Sequence, residues 1–286
     1  MTDTANDVIM LDGALEPDRR QAGAGGGECI AFTCRSPDKE TENEDTVAVI
    51  PYGPQAAVLV VADGAGGLPA GKRASVCAVT TLIDSLNTSM AETMMLRNAI
   101  LNGIEAANLA VLQLGNGSAT TLTVVTIEGL IARAYQIGDS EAIVVGQRGV
   151  LKLQTPVHSP TGLAVEAGFL DQRDALHHAE RHLVSNFLGT PEMRIDVGAA
   201  VTLRPRDTVL VASDGLMDNV HVDEIIARIR KGPIAAAADS VISLARRRMS
   251  SDTTEQPSKP DDLSLILFRK PYRLPPKRRR QSDKNQ

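Results

Sequence analysis

The sequence has few aromatic residues, few cysteines and no long apolar run. It contains no Trp, four Phe and three Tyr in 286 residues. Base stacking needs aromatic side chains, so we expect no nucleic acid to bind the folded part. The three cysteines form no CxxC pair, which favours reduced thiols over a disulfide framework. No stretch has the pattern of a signal peptide or a membrane span, and we therefore predict a cytoplasmic protein.

The composition indicates one large folded domain with two different ends. Hydrophobic residues make up 43% of the chain, which is enough to bury a full core. We predict a flexible leader over residues 1–27, which ends in a glycine-rich stretch, one domain over residues 28–269, and a basic disordered tail over residues 270–286. The tail is either a solvated end or a tether to an anionic partner.

The spacing of apolar residues predicts an α+β fold. Runs of strand length cluster before residue 63, between residues 120 and 153, and after residue 199, whereas residues 74–114 and 222–249 carry helical spacing. The runs between residues 120 and 153 predict four antiparallel strands in one meander. Clustered strands separated by helices favour antiparallel sheets covered by helices.

Acidic residues stand at one end of four of these runs. Asp45 precedes residues 46–50, Asp63 follows 58–62, Asp214 follows 208–213, and Asp261 precedes 263–268. A single Asp at such a place usually caps a turn. Strands of one sheet system bring their ends together, however, and carboxylates about 5 Å apart would repel by roughly 3 kcal/mol per pair at an effective dielectric of about 20. We therefore predict divalent cations among them.

The type of ligand defines the expected chemistry. Oxygen donors without His or Cys select Mn²⁺ or Mg²⁺ over Zn²⁺. Two such ions about 3.5–4 Å apart can bridge and ionise a water, which then attacks phosphorus in line without a side-chain nucleophile. Gly64 permits a sharp turn and offers its carbonyl as a further ligand, although a plain glycine turn between strand and helix explains it equally well.

Six motifs then occur in the order of a known family. They are Asn43-Glu44-Asp45, Val61 to Gly67, Ser118 to Leu122, Ile137 to Ser140, Ser213 to Asp218, and Asp261 to Ser264. Over residues 28–269 the chain resembles the metal-dependent protein phosphatases of the type 2C serine/threonine class. The resemblance implies a β-sandwich of two antiparallel sheets flanked by helices on both sides, in four layers α-β-β-α. It also implies that a monomer hydrolyses phosphoserine and phosphothreonine in protein substrates.

The resemblance also implies roles for single residues. Two Mn²⁺ or Mg²⁺ ions would be held by Asp45, Asp63, Gly64 through its carbonyl, Asp214 and Asp261. Asp63 would bridge both ions, and Asp139 would serve a third, weaker metal.

Some positions depart from the family pattern. Glu40 stands where an arginine commonly holds the substrate phosphate, and Arg35 or Lys39 is the candidate replacement. Ala65 stands where some members carry a His as general acid. Asp262 replaces the usual Asn and could reach the metals or a nearby water. These departures keep a second class open, a regulatory binding protein that has the fold but little or no turnover.

Two other patterns point elsewhere. Gly66 to Lys72 comes within one residue of a phosphate-binding P-loop, but Arg73 replaces the Ser or Thr that would ligate Mg²⁺. His178 and His182 have the i,i+4 spacing of a helical zinc pair, without a third ligand. We interpret the first as a glycine turn and the second as part of a polar surface helix.

Overall fold

The computed structural model describes residues 7–12, 15–65, 70–178, 180–181, 183–251 and 256–271. The strands are β1 (Ile9–Leu11), β2 (Asp18–Ala24), β3 (Gly27–Cys34), β4 (Thr46–Pro51), β5 (Ala56–Ala62), β6 (Gly64–Ala65), β7 (Ala119–Thr120), β8 (Leu122–Glu128), β9 (Ile131–Ile137), β10 (Glu141–Val145), β11 (Leu151–Gln154), β12 (Asp196–Val197), β13 (Val201–Thr202), β14 (Thr208–Ala212) and β15 (Leu263–Arg269). The helices are α1 (Ala70–Ala91), α2 (Leu96–Leu114), α3 (Pro160–Glu166), α4 (Gln172–Ala175), α5 (Asp214–Met217), α6 (Val222–Ile229) and α7 (Ile234–Met249). In this described part of the chain, no helix is both long and apolar enough to span a bilayer.

Two antiparallel sheets pack face to face. The first has the strand order β1-β4-β5-β8-β9-β12, with β13 also paired to β9, and the second has the order β11-β10-β14-β15-β3-β2. Helices α1 and α2 cover the outer face of the first sheet, and α5, α6 and α7 cover the outer face of the second. The predicted four-layer α-β-β-α sandwich is confirmed.

The central strands are buried on both faces, which explains why their sequences are continuously apolar. In β5, Leu59 and Val61 face the core between the sheets, whereas Val58 and Val60 face α1 and α2. Burial of apolar surface on both faces stabilises such a strand by roughly 25 cal/mol per Å². The same strands end together at one edge of the sandwich, where the chain becomes acidic.

The prediction of a flexible leader over residues 1–27 is wrong for two segments. Strand β1 pairs with β4, and β2 pairs with β3 at the edge of the second sheet. The side chains of β2 are mostly exposed or half-buried. An edge strand buries little apolar surface, so its polar composition does not distinguish it from a loop. The predicted basic tail lies, except for Lys270 and Pro271, outside the described residues.

The prediction of one meander between residues 120 and 153 is also wrong. Strands β8 and β9 pair in the first sheet, whereas β10 and β11 belong to the second. The chain crosses between the sheets at Gly138, which has a φ of 100°. A Cβ at this position would lie 2.6 Å from the Thr121 side chain, so only glycine fits. This crossing places Asp139 at the acidic edge.

Candidate metal centre

The predicted acidic residues lie together at one end of the sandwich. The register of β4 and β5 puts Asp45 and Asp63 on adjacent strand ends, and that of β14 and β15 does the same for Asp214 and Asp261. Burial and then the charges of four carboxylates raise the pKa of Asp63 well above its ordinary value; the four are Asp45, Asp214, Asp261 and Asp139. Strand ends far apart in sequence therefore do form one acidic cluster.

Asp45 is completely buried and held from two sides. Its backbone N–H donates to Asn43 Oδ1 at 2.8 Å, and its Oδ2 accepts from Ser213 Oγ at 2.9 Å. Burial raises the pKa of Asp45, and the charge of Asp262 adds to this. Asp45 Oδ1 and Asp214 Oδ1 are both buried and accept no hydrogen bond from the described residues. Buried carboxylate oxygens without donors are costly, and a cation would satisfy them.

Asp63 and Gly64 are fixed through their backbones. The Asp63 N–H donates to Thr121 Oγ1 at 3.0 Å, and the Asp63 carbonyl accepts from the Thr121 N–H at 2.8 Å and from Thr120 Oγ1 at 2.8 Å. A Cβ on Gly64 would lie 2.2 Å from the carbonyl oxygen of Gly71. Gly64 is thus required by the close approach of α1 rather than by a positive φ. The glycines at 66 and 67 lie outside the described residues.

One lysine that the sequence reasoning missed lies among these carboxylates. Lys259 Nζ is 2.5 Å from Asp214 Oδ2, 2.8 Å from Asp218 Oδ2 and 3.0 Å from Asp261 Oδ2. Burial alone would lower the pKa of Lys259, but its three acidic partners raise it. Burial would raise the pKa of Asp214, and the Lys259 ammonium outweighs this and lowers it. In this arrangement no three acidic, His or Cys side chains of the described residues surround one point as metal ligands.

A second cluster lies beside the first and holds the loop 35–44. Asp262 Oδ1 accepts from the Ser36 N–H at 2.8 Å, and Oδ2 accepts from the Glu44 N–H at 2.7 Å. Lys39 Nζ bridges Asp262 Oδ2 and Glu44 Oε2, at 2.7 Å from each. Both oxygens of Asp262 are therefore engaged with the loop, and its reach to the metals or to a nearby water stays a prediction.

A family model described as protein phosphatase 2C matches residues 37–249. The chain belongs to this family. A serine/threonine phosphatase of Listeria monocytogenes is 27% identical over 213 residues, which cover 71% of this chain and 84% of the relative. The serine/threonine phosphatase PstP/Ppp of Mycobacterium tuberculosis has a similar structure, with a TM-score of 0.70, 25% identity, and coverage of 85% of this chain and 98% of that one.

A structure of the PstP catalytic domain in complex with two manganese ions shares the fold at 22% identity. Its TM-score is 0.62, and the match covers 92% of this chain and 99% of that one. The predicted family, the sandwich fold and the assignment as a protein phosphatase are confirmed. Divalent metals at the centre are implied by the family, and the oxygen-only donors with two unpartnered carboxylate oxygens suit them.

Both predicted phosphate-binding cations, Arg35 and Lys39, and one further lysine, Lys72, lie among the described residues of the phosphatase. Arg35 Nη1 donates to the Glu40 carbonyl at 3.0 Å, and Lys39 is engaged by the second cluster, so their phosphate-binding role stays a prediction. Lys72, at the start of α1, has a buried Nζ without a hydrogen-bond partner in the described part of the chain. Burial lowers its pKa. Sequence reasoning noticed Lys72 only through its P-loop-like neighbours.

A cleft of about 580 Å³ opens beside Asp139, Asp214 and Asp218. Residues of the flap segment, between 155 and 190, also line this cleft, Val157 and Arg181 among them. A larger cleft of about 790 Å³ lies at the other end of the sandwich, beside the β2–β3 turn, and contains none of the predicted site residues. The smaller cleft is therefore the one that can present a substrate to the phosphatase's acidic cluster.

Histidines of the flap segment differ in their surroundings. His158 is buried; its Nδ1 accepts from the Gly138 N–H at 3.1 Å, and its Nε2 lies 2.9 Å from Asp196 Oδ2. It therefore ties the flap to the turn that carries Asp139. His178 is exposed, and its Nδ1 accepts from the Glu180 N–H, while His182 lies outside the described residues. The described residues give no support to a zinc pair here.

Proposed function

We propose that this phosphatase hydrolyses phosphoserine and phosphothreonine in proteins with the help of Mn²⁺ or Mg²⁺. The ligands would be Asp45, Asp63, the Gly64 carbonyl, Asp214 and Asp261, with Asp139 serving a third ion. The observation that carries the proposal is the set of two buried, unpartnered oxygens, Asp45 Oδ1 and Asp214 Oδ1, inside a cluster of carboxylates. Two bound ions would supply charge neutralisation and activation of the attacking water.

The protein's own residues orient the ligands and admit the substrate. Ser213 Oγ fixes Asp45 Oδ2, which directs the unpartnered Oδ1 of Asp45 away from that hydrogen bond. Thr120 and Thr121 fix the backbone of Asp63, so its side chain projects from a rigid strand end. The cleft under the flap segment has room for a side chain and its neighbours in an extended peptide.

A regulatory protein without turnover is the less favoured alternative. It rests on Glu40, whose exposed carboxylate stands where the family pattern commonly has a phosphate-holding arginine. All the carboxylates that hydrolysis would need are nevertheless present and clustered. Loss of one phosphate contact weakens substrate binding, whereas loss of a metal ligand would stop the reaction.

The test is hydrolysis of a phosphothreonine peptide with Mn²⁺, with and without chelator. We expect turnover that the chelator removes and that Asp214→Asn abolishes, while Asp239→Asn, an exposed acid that pairs with Arg19, has no effect. Metal binding without turnover on any phosphopeptide would instead support the regulatory alternative. Chelator-sensitive hydrolysis of ATP would point back to the P-loop-like segment.

A further inference from the structure

We propose that Lys259 is an internal cation that competes with the divalent metal for the carboxylate cluster, and that it thereby sets the metal affinity of this phosphatase. The inference rests on the proposed metal-dependent function. Lys259 Nζ lies within 3.0 Å of an oxygen from each of three carboxylates. Two of these, Asp214 and Asp261, are predicted metal ligands.

The ammonium and a metal ion would need the same two carboxylates, those of Asp214 and Asp261. Lys259 Nζ is 2.5 Å from Asp214 Oδ2 and 3.0 Å from Asp261 Oδ2, so it already neutralises negative charge on two predicted ligands. Two cations at such short range repel strongly in a buried site. Binding of the metal therefore requires the ammonium to leave Asp214 and Asp261.

The lysine can leave without a change of fold. Its backbone is clamped by one side chain, because the Lys259 N–H donates to Asn219 Oδ1 at 2.8 Å and the Lys259 carbonyl accepts from Asn219 Nδ2 at 2.8 Å. Its own side chain is 21% exposed and consists of four flexible methylenes. Asp218, which is not a predicted ligand, offers the ammonium an alternative partner at the rim of the cleft.

Lys39 provides the matched control within the same molecule. It is also 21% exposed and also bridges two carboxylates, but neither Glu44 nor Asp262 is a predicted ligand. If only the loss of positive charge mattered, removing the charge of either lysine would change the affinity for the metal similarly. If a lysine competes with the metal for its ligands, only the removal of the Lys259 charge would raise the affinity for the metal.

The experiment is calorimetric titration of Mn²⁺ into the metal-free full-length protein, as wild type, Lys259→Gln, Lys259→Arg and Lys39→Gln. We expect Lys259→Gln to lower the Kd for Mn²⁺ by about tenfold or more. Lys259→Arg keeps the charge and should stay within a few-fold of wild type, as should Lys39→Gln. As a second readout, Lys259→Gln should lower the Tm of the metal-free protein and enlarge the rise in Tm that Mn²⁺ produces.

Several results would overturn the inference. If folded Lys259→Gln binds Mn²⁺ with equal or weaker affinity while wild type still shows metal-dependent turnover, the competition is refuted and the proposed function stands. An equal gain in Lys39→Gln would reduce the effect to general electrostatics and also refute it. If neither wild type nor Lys259→Gln binds Mn²⁺ or hydrolyses phosphopeptide, the proposed function fails together with the inference.

Discussion

Two adjacent aspartates, Asp261 and Asp262, belong to two lysine-centred clusters that differ in their balance of charge. Around Lys39, both oxygens of Asp262 accept hydrogen bonds from the loop 35–44, while Glu44 Oε1 is buried without a donor among the described residues. Around Lys259, three carboxylates share one ammonium, and Asp214 Oδ1 is buried without a donor. The first cluster sets one ammonium against two carboxylates, whereas the second sets one ammonium against three and so carries more negative charge.

Because of this difference, we expect the Lys39 cluster to contribute to stability and the Lys259 cluster to function. Asp262, with both carboxylate oxygens hydrogen-bonded, orders the loop that it holds, and removing its charge leaves Lys39 with one partner fewer. An incompletely neutralised cluster destabilises the fold, and strongly shifted pKa values of this kind concentrate at functional sites. The comparison therefore predicts that equal changes at neighbouring positions affect different properties.

The largest expected effect comes from exchanging the two neighbours separately for Asn. Asp261→Asn should lower kcat for a phosphothreonine peptide by about a thousandfold, because a lost metal ligand removes several kcal/mol of charge stabilisation. Asp262→Asn should instead lower the free energy of unfolding by roughly 2 kcal/mol, because Lys39 loses an ionised partner. Steady-state kinetics and urea unfolding measure the two effects. Similar kinetic losses in both variants would remove the distinction between the clusters.

Glu141 is a buried acid that forms no ion pair with any cation of the described residues, and it extends the comparison to an acid without a lysine. Gln154 Nε2 donates to Glu141 Oε2 at 2.8 Å, and burial raises the pKa of Glu141 to about 7 from an ordinary 4.5. Between these values the folded protein holds a proton that the unfolded chain has released. Stability should therefore fall as the pH rises through this window, by roughly 3 kcal/mol from this group.

The check is urea unfolding of wild type and Glu141→Gln in the presence of chelator between pH 4.5 and 8. Glutamine keeps the hydrogen bond to Gln154 and cannot titrate, so the difference between the two curves isolates this one carboxyl group. Parallel curves would mean that Glu141 ionises normally in the folded state.

Much of the site follows from the sequence because apolar runs define the strand ends. Asp45, Asp63, Asp214 and Asp261 each adjoin such a run, and antiparallel sheets gather those ends. The four-layer fold follows for the same reason, since runs that are apolar on both faces need cover on both faces. The role of these residues as metal ligands stays a prediction.

The remaining features depend on tertiary contacts that no local pattern encodes. Strands β9 and β10 have similar composition, so nothing in them shows that they belong to different sheets and that Asp139 lies at the crossing. Lys259 lies in a polar loop and contacts three carboxylates, and its sequence distance from them matches no recognised motif. The assignment of Asp261 and Asp262 to different clusters is easier to predict from the sequence, because successive side chains of an extended segment point to opposite sides.

Lys72 forms no ion pair with an acidic side chain of the described residues, in contrast to Lys39 and Lys259. Its buried Nζ donates no hydrogen bond to any described residue, so Lys72→Met should raise the free energy of unfolding by about 1 kcal/mol through removal of an unpaired buried charge. Urea unfolding measures this, with the exposed Lys231→Met as a control expected to change little. Destabilisation by Lys72→Met would show that the ammonium has a stabilising partner.

The smallest expected effect is at Glu40, next to Lys39 in the loop 35–44. Glu40→Arg should lower KM for phosphopeptides by roughly two- to fivefold, because an exposed charge contributes at most about 1 kcal/mol to phosphate binding. Glu42→Arg makes the same charge change at another exposed position of the loop and should alter KM less. An equal fall in both variants would indicate general attraction of an anionic substrate. An unchanged KM in a folded Glu40→Arg protein would mean that Asp262 and Lys39 order a loop facing away from the substrate, and the phosphate contact would then have to come from the α1 or flap side of the centre.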